Sequence, residues 1–181
     1  MRSQPLLDAL VLLSEEHTRF AEVLQTLPGA SLTQRPPCGG WNVLECMEHL
    51  NRYSIFYLRE IDAVIQKAAS RPAGNFKPGV LGNYFCKIIH PDSSQKAMKT
   101  SQPMNTQNAR LTPAVLTDFI SHQQQFLQLL EKARGINIGK EKTGTSLSRM
   151  IRLKLGDTLR FVAYHNERHV RQARNVIAIS G

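Results

Sequence analysis

The sequence predicts an all-α protein, a four-helix bundle with one long crossover connection, and three observations carry that prediction. Apolar residues recur at three- and four-residue intervals in four long segments. Between the second and third of these, residues 71–111 are rich in Pro, Gly, Lys, Ser, Asn and Thr and keep no period. Elsewhere there is no convincing set of alternating strands, no fixed-length repeat and no low-complexity tract. The 181 residues, 41% apolar and 20% charged, suit a single domain over residues 1–181 with a sizeable buried core.

The first helix is expected over residues 4–27, on Leu6, Leu7, Leu10, Leu13, Phe20, Leu24 and Leu27, with Pro28-Gly29 as its stop. Pro36-Pro37 and Gly39-Gly40 make a turn-rich passage to Trp41. Asn42 followed three residues later by Glu45 is a capping-box signature, so the second helix starts there and runs to about Ser70. Its apolar arc is Val43, Cys46, Leu50, Tyr53, Tyr57, Ile61 and Val64. The forty or so residues that follow are long for a connection, which points to a crossover with a short helix near 81–89. Thr112-Pro113 opens the third helix, Thr as cap and Pro at the first helical position. Leu116, Phe119, Ile120, Phe126, Leu127 and Leu130 carry it to Arg134, and Gly135 ends it. A looser stretch, 136–150, precedes the last helix, expected from about Asp157 to Ile179.

The longest uncharged runs, 12 residues each at 23–34 and 119–130, carry polar side chains and cannot cross roughly 30 Å of hydrocarbon. The N-terminal stretch is interrupted by Asp8 and lacks a small-residue cleavage site, so no signal peptide is read. Three cysteines, Cys38, Cys46 and Cys86, have no disulfide or zinc spacing, and a reducing cytoplasm is the expectation. Lys and Arg exceed Asp and Glu by 23 to 14, giving +9, and +7 of that lies in residues 134–174. Such a balance fits an anionic substrate, a nucleic acid or a solvated basic surface.

Six histidines carry most of the chemistry. His165 and His169 are four apart on the last helix, about 40° from each other around its axis. They fall at the margin of the arc Leu155, Leu159, Val162, Ala173, Val176 and Ile177, whereas Arg160, Glu167, Arg171 and Arg174 are placed on the far side. His49 sits at the edge of the second helix's inner arc beside Cys46 and Tyr53. Inward imidazoles need partners for both nitrogens, and a divalent ion supplies one. Three imidazoles with a fourth position open is a catalytic rather than a closed structural arrangement. His17 and His122 read as partly exposed helix residues, and His90, before Pro91, as a loop residue.

Two segments carry a family resemblance. Trp41-Asn42-Val43-Leu44-Glu45-Cys46-Met47-Glu48-His49-Leu50 resembles the W-S/N-x-x-E-x-x-x-H-L stretch of the DinB/YfiT-like superfamily of metalloenzymes. Leu155-Gly156-Asp157 followed by Tyr164-His165-Asn166-Glu167-Arg168-His169-Val170-Arg171-Gln172 is similar to its G-D and H-x-x-R-H-x-x-Q ending, and the likeness in layout spans nearly the whole chain. The resemblance implies a four-helix bundle, a metal held by His49, His165 and His169, nickel or zinc as that metal, and pairing into a homodimer. It implies a metal-dependent hydrolase, or a transferase using a low-molecular-weight thiol, acting on a small-molecule substrate.

Glu45, one turn before His49, and Tyr53, one turn after, are candidate catalytic groups, against Glu45 as cap and Tyr53 as core aromatic. Gln172, three residues past His169, is the candidate to orient a ligand. Cys46 reads as a small core residue. Trp41 anchors the start of the second helix or lines the mouth of the pocket. Arg149, Arg152 and Lys154 offer an anion-binding rim. The rival reading is a non-catalytic helical binding protein contacting nucleic acid, but no base-stacking aromatics interleave with the arginines and no helix-turn-helix pattern appears.

Overall fold

A computed structural model of the chain describes residues 1–37, 39–93 and 100–180. It holds α1 (Ser3–Gln25), α2 (Gly29–Thr33), α3 (Val43–Lys67), α4 (Val80–Ile89), a 3₁₀ turn (Gln102–Met104), α5 (Ala114–Ala133), β1 (Lys142–Thr145), β2 (Ser148–Lys154) and α6 (Leu155–Ser180). The architecture is all-α apart from the two short strands. Among the described residues no helix is long and apolar enough to cross a membrane.

α1, α3, α5 and α6 form the bundle. α3 and α1 each pack on both α5 and α6, which puts α1 diagonally across from α3. One apolar cluster joins residues 6–10 of α1, 57–61 of α3, 126–133 of α5 and 155–163 of α6. A second joins 21–24, 43–50, 115–119 and 170–176 of the same helices. Numbering therefore rises along α1 and α6 and falls along α3 and α5, an up-down-down-up bundle. Because α3 and α5 run the same way, the segment between them must return the full length of the bundle, which is what the long crossover does.

The crossover is pinned at several places. Gly82 lets α4 lie on α6, since a Cβ there would come within 2.5 Å of the Asp157 side chain. Gly156 likewise makes room for the buried ring of Phe76, which a Cβ would approach to 2.7 Å. Asp157 Oδ2 accepts from the Gly79 amide at 2.8 Å, and the returning limb is stitched to α3 by Thr106 Oγ1, which donates to the Glu45 carbonyl at 2.8 Å.

Several expectations are corrected. Residues 142–154 form an antiparallel hairpin, Lys142 opposite Lys154 and Thr143 opposite Leu153 with an irregularity at Gly144/Thr145, where the sequence offered no strand. Its reason is tertiary: the Gly144 amide donates to Glu60 Oε2 at 2.8 Å, and the Tyr57 hydroxyl meets Ser146 Oγ at 3.2 Å. His17 is fully buried, because α1 turns Ser14 and His17 inward between Leu10 and Ala21. Arg160 and Glu167 are buried too, not outward, since α4 and α1 cover the flanks of α6 on which they lie. α5 begins at Ala114 with Pro113 at the cap position and no side-chain cap from Thr112. α6 begins two residues before Asp157, straight out of β2, and α2 and the 3₁₀ turn are additional. Cys38 lies outside the described residues; Cys46 and Cys86 are buried free thiols.

Candidate metal centre

The site forms where α3 and α6 cross. Asn42 accepts from the Glu45 amide at 2.9 Å while Glu45 Oε2 accepts from the Asn42 amide at 2.9 Å, so the capping box is complete and fixes the start of α3. One turn further on, His49 points between α3 and α6. His165 and His169, one turn apart on α6, meet it there: the ring centroids lie 5.1 Å (His49–His165), 4.6 Å (His49–His169) and 4.9 Å (His165–His169) apart. One ligand nitrogen from each falls within 4.8 Å of the others, a cluster that could hold a metal ion.

Hydrogen bonding selects the ligating nitrogens. His49 Nδ1 lies 2.8 Å from the Met104 carbonyl, which can only accept, so Nδ1 carries the proton and Nε2 is bare. His169 Nδ1–H donates to Gln172 Oε1 at 2.9 Å, leaving its Nε2 free in the same way. Histidine ligands characteristically donate their second N–H to such outer partners. His49 Nε2 and His165 Nε2 are 3.3 Å apart. Two nitrogens at about 2.0–2.1 Å from one tetrahedral ion are separated by about 3.3–3.4 Å, so this pair has the spacing of two ligands on one divalent cation, with His169 within 4.8 Å of both.

The imidazoles are held neutral. Burial pushes His49 down to about 4, against which the Met104 bond acts, and the charge of Arg52 lowers it further. Burial likewise takes His169 to about 3 and His165 well below its ordinary value, with the other histidines and Arg168 adding to the effect. Neutral imidazole is the form that binds metal.

Aromatic rings wall the cluster. Trp41 stacks on His169 at 5.6 Å and touches His49 at 4.7 Å; Tyr53 lies 4.8 Å from His49 and 4.5 Å from His165; Phe161 stacks on His165 at 5.7 Å. Trp41 thus lines the site while also packing against the core. Burial raises the Tyr53 hydroxyl above its ordinary value, so it stays a donor. Burial also raises the Cys46 thiol, which remains a core group.

Of the residues singled out in the sequence, His49, His165, His169, Tyr53 and Gln172 come together. Glu45 stands apart: besides closing the cap, Oε1 accepts from Arg35 and from the Asn108 amide, both at 2.5 Å. Asn108 reaches that position with φ of 62°, a left-handed conformation that Asn adopts more readily than most residues. Arg152 and Lys154 donate to the carbonyls of Lys142 and Lys77 at the hairpin; the Arg149 side chain lies outside the described residues. Sequence reasoning missed the Met104 carbonyl, which no residue type could signal, and Phe161, which its place one turn before His165 would have found. Met104 is set by Arg52, whose Nη1 donates to the Pro103 and Asn105 carbonyls at 3.0 and 2.9 Å.

An all-α bundle with three convergent imidazoles between two of its helices defines a helical protein with a candidate metal centre. The chain belongs to the DinB superfamily, whose sequence profile matches residues 12–173. No curated protein and no solved structure matches the chain.

Proposed function

We propose that the protein is a metal-dependent enzyme in which His49, His165 and His169 bind a nickel or zinc ion through Nε2 and which transfers a low-molecular-weight thiol to a small electrophilic substrate. The observation that carries this reading is the outward donation of the His49 and His169 Nδ1 protons, which leaves their Nε2 atoms bare and convergent. Bound there, a divalent ion would supply Lewis acidity, lowering the pKa of a thiol or a water in its fourth position.

The chain's own groups have separable tasks. Met104 and Gln172 hold the His49 and His169 rings in one tautomer and orientation. Trp41, Phe161 and Tyr53 wall the cluster, and in this reading the protonated Tyr53 hydroxyl donates to negative charge developing on the substrate. Hydrolysis, the second reading, needs a general base, and the carboxylates nearest His49 along α3 are engaged: Glu45 in the cap and with Arg35, Glu48 with Arg52 at 3.0 Å. That favours thiol transfer.

Nucleic acid is not the partner in this reading. Arg171 is held by Glu167 and Asp92, Arg174 lies over Phe20 at 4.9 Å, and Arg160 is buried, so much of the C-terminal basic charge is engaged. A cytoplasmic homodimer completes the proposal, checked by light scattering.

The test is metal analysis of untagged protein beside its His165→Ala variant, then turnover of a thiol with an epoxide or halide against turnover of esters and amides. About one ion per chain, lost in the variant, with thiol conjugation is the expected result. Ester or amide turnover alone would establish hydrolysis, and absence of both with several metals would refute catalysis.

A further inference from the structure

The two apolar clusters of the bundle are separated by a polar layer. Between them lie Ser14 and His17 on α1, Gln123 on α5 and Asn166 on α6, none more than 2% exposed. The register of the helices puts them near one level. His17 Nε2 is 2.9 Å from Glu167 Oε2, the neighbour of Asn166. Gln25 donates to Thr117 at 3.1 Å and Arg134 to Asp8 at 2.7 Å, and between those two links Gln123 falls opposite Arg19, about half a turn from His17.

Five atoms of these four side chains find no protein partner among the described residues: Ser14 Oγ, His17 Nδ1, Gln123 Oε1, Gln123 Nε2 and Asn166 Nδ2. Natural cores satisfy almost all such groups, because each orphan bears its full desolvation cost. The mix of roles is informative. The two amide nitrogens only donate, Gln123 Oε1 only accepts, Ser14 takes either role, and His17 Nδ1 accepts in the neutral ring, whose Nε2–H faces the Glu167 carboxylate. A cation meets only the acceptors, an anion only the donors, and an apolar guest neither.

We infer that this layer is a built site for internal water, in which about two or more molecules are bound by Ser14, His17 Nδ1, the Gln123 amide and Asn166 Nδ2. Each such water makes about three hydrogen bonds, so five atoms occupy about two separate molecules or a bonded chain of about three. A chain of this length holds about six or seven buried waters by the usual frequency, so the number asked for is ordinary. The site is built from α1, α5 and α6 and completes the hydrogen bonding of the His17 ring whose other nitrogen meets Glu167. It stands whether or not the cluster binds a metal.

A crystal structure of the full chain at about 1.5 Å tests this directly. Ordered water within about 3.2 Å of Gln123 and His17 Nδ1 is the expected result; the four side chains bonding one another with no water between them would overturn it. Gln123→Leu gives an independent reading. In a hydrated layer it strands water, Ser14 and His17, and Tm falls by about 2–4 °C; in a dry layer it removes an orphaned amide, and an unchanged or raised Tm would refute the site. If the variant does not fold, oxygen-17 relaxation dispersion on the native protein counts long-lived internal waters, and finding none refutes it as well.

Discussion

Helix α6 serves two buried histidine sites, one on each side, and a carboxylate separates their chemistry. Toward α3, His165 and His169 meet His49 with aromatic rings around them and Arg52 and Arg168 adding positive charge. Toward α1, Glu167 meets His17 at 2.9 Å and also takes Arg171. Burial raises the Glu167 carboxyl, but its bonds to His17 and Arg171 outweigh that and hold it at about 2. The same residue type is a carboxylate's hydrogen-bond partner where an anion faces it and a candidate ligand where only other imidazoles do, His17 being fully buried and His169 half-buried.

Breaking the anionic side has the largest expected effect. Glu167→Ala leaves His17 and Arg171 without their carboxylate and lowers stability by about 2–3 kcal/mol, read from urea unfolding. Metal content per folded chain should stay unchanged; loss of metal together with stability would mean the two sides of α6 are one unit. His165→Ala does the reverse: metal affinity falls by more than about a hundredfold, beyond the loss from an outer partner, while the protein stays folded by circular dichroism.

Acid separates the two sites by pH. In metal-free protein the unfolded chain protonates its histidines near 6.5, whereas the fold resists until about 4 at His49 and about 3 at His169. Their contribution is therefore complete above pH 6.5 and declines as pH falls toward those values. Glu167, lowered from 4.5 to about 2, contributes fully above 4.5 and loses its contribution only toward pH 2. Urea midpoints between pH 8 and 3 should begin to fall near 6.5, and a decline that starts only below 4.5 would contradict the burial of the triad. The smallest effect is expected at Gln172→Ala, which frees the His169 ring and weakens metal binding by about tenfold, toward the lower end for an outer partner. Unchanged affinity would remove Gln172 from the site.

How much was legible in the sequence follows the same division. The capping box at Asn42 and Glu45 is local, and it is present as read. The i,i+4 spacing put His165 and His169 on one side of a helix because 3.6 residues make a turn. His17 was misplaced because the inner stripe of α1 was traced through its leucines and Phe20; the stripe that is buried runs Leu10, Ser14, His17, Ala21 and Leu24, at the same spacing but through polar residues. The hairpin escaped because its strands are short and rich in Lys, Arg, Ser and Thr, and what holds them is Glu60 and Tyr57 of α3, more than eighty residues earlier.

The sequence by itself determined the four long helices, the apolar part of their inner arcs and the family, because periodicity and caps are properties of neighbouring residues. Only the tertiary structure decided which inward polar groups meet. His49 reaches His165 across 116 residues, and His17 finds Glu167 across 150. A helix's phase fixes the direction a side chain points, but the charge and hydrogen bonding it encounters come from the helices packed opposite, and these set whether a buried imidazole is free to bind a metal.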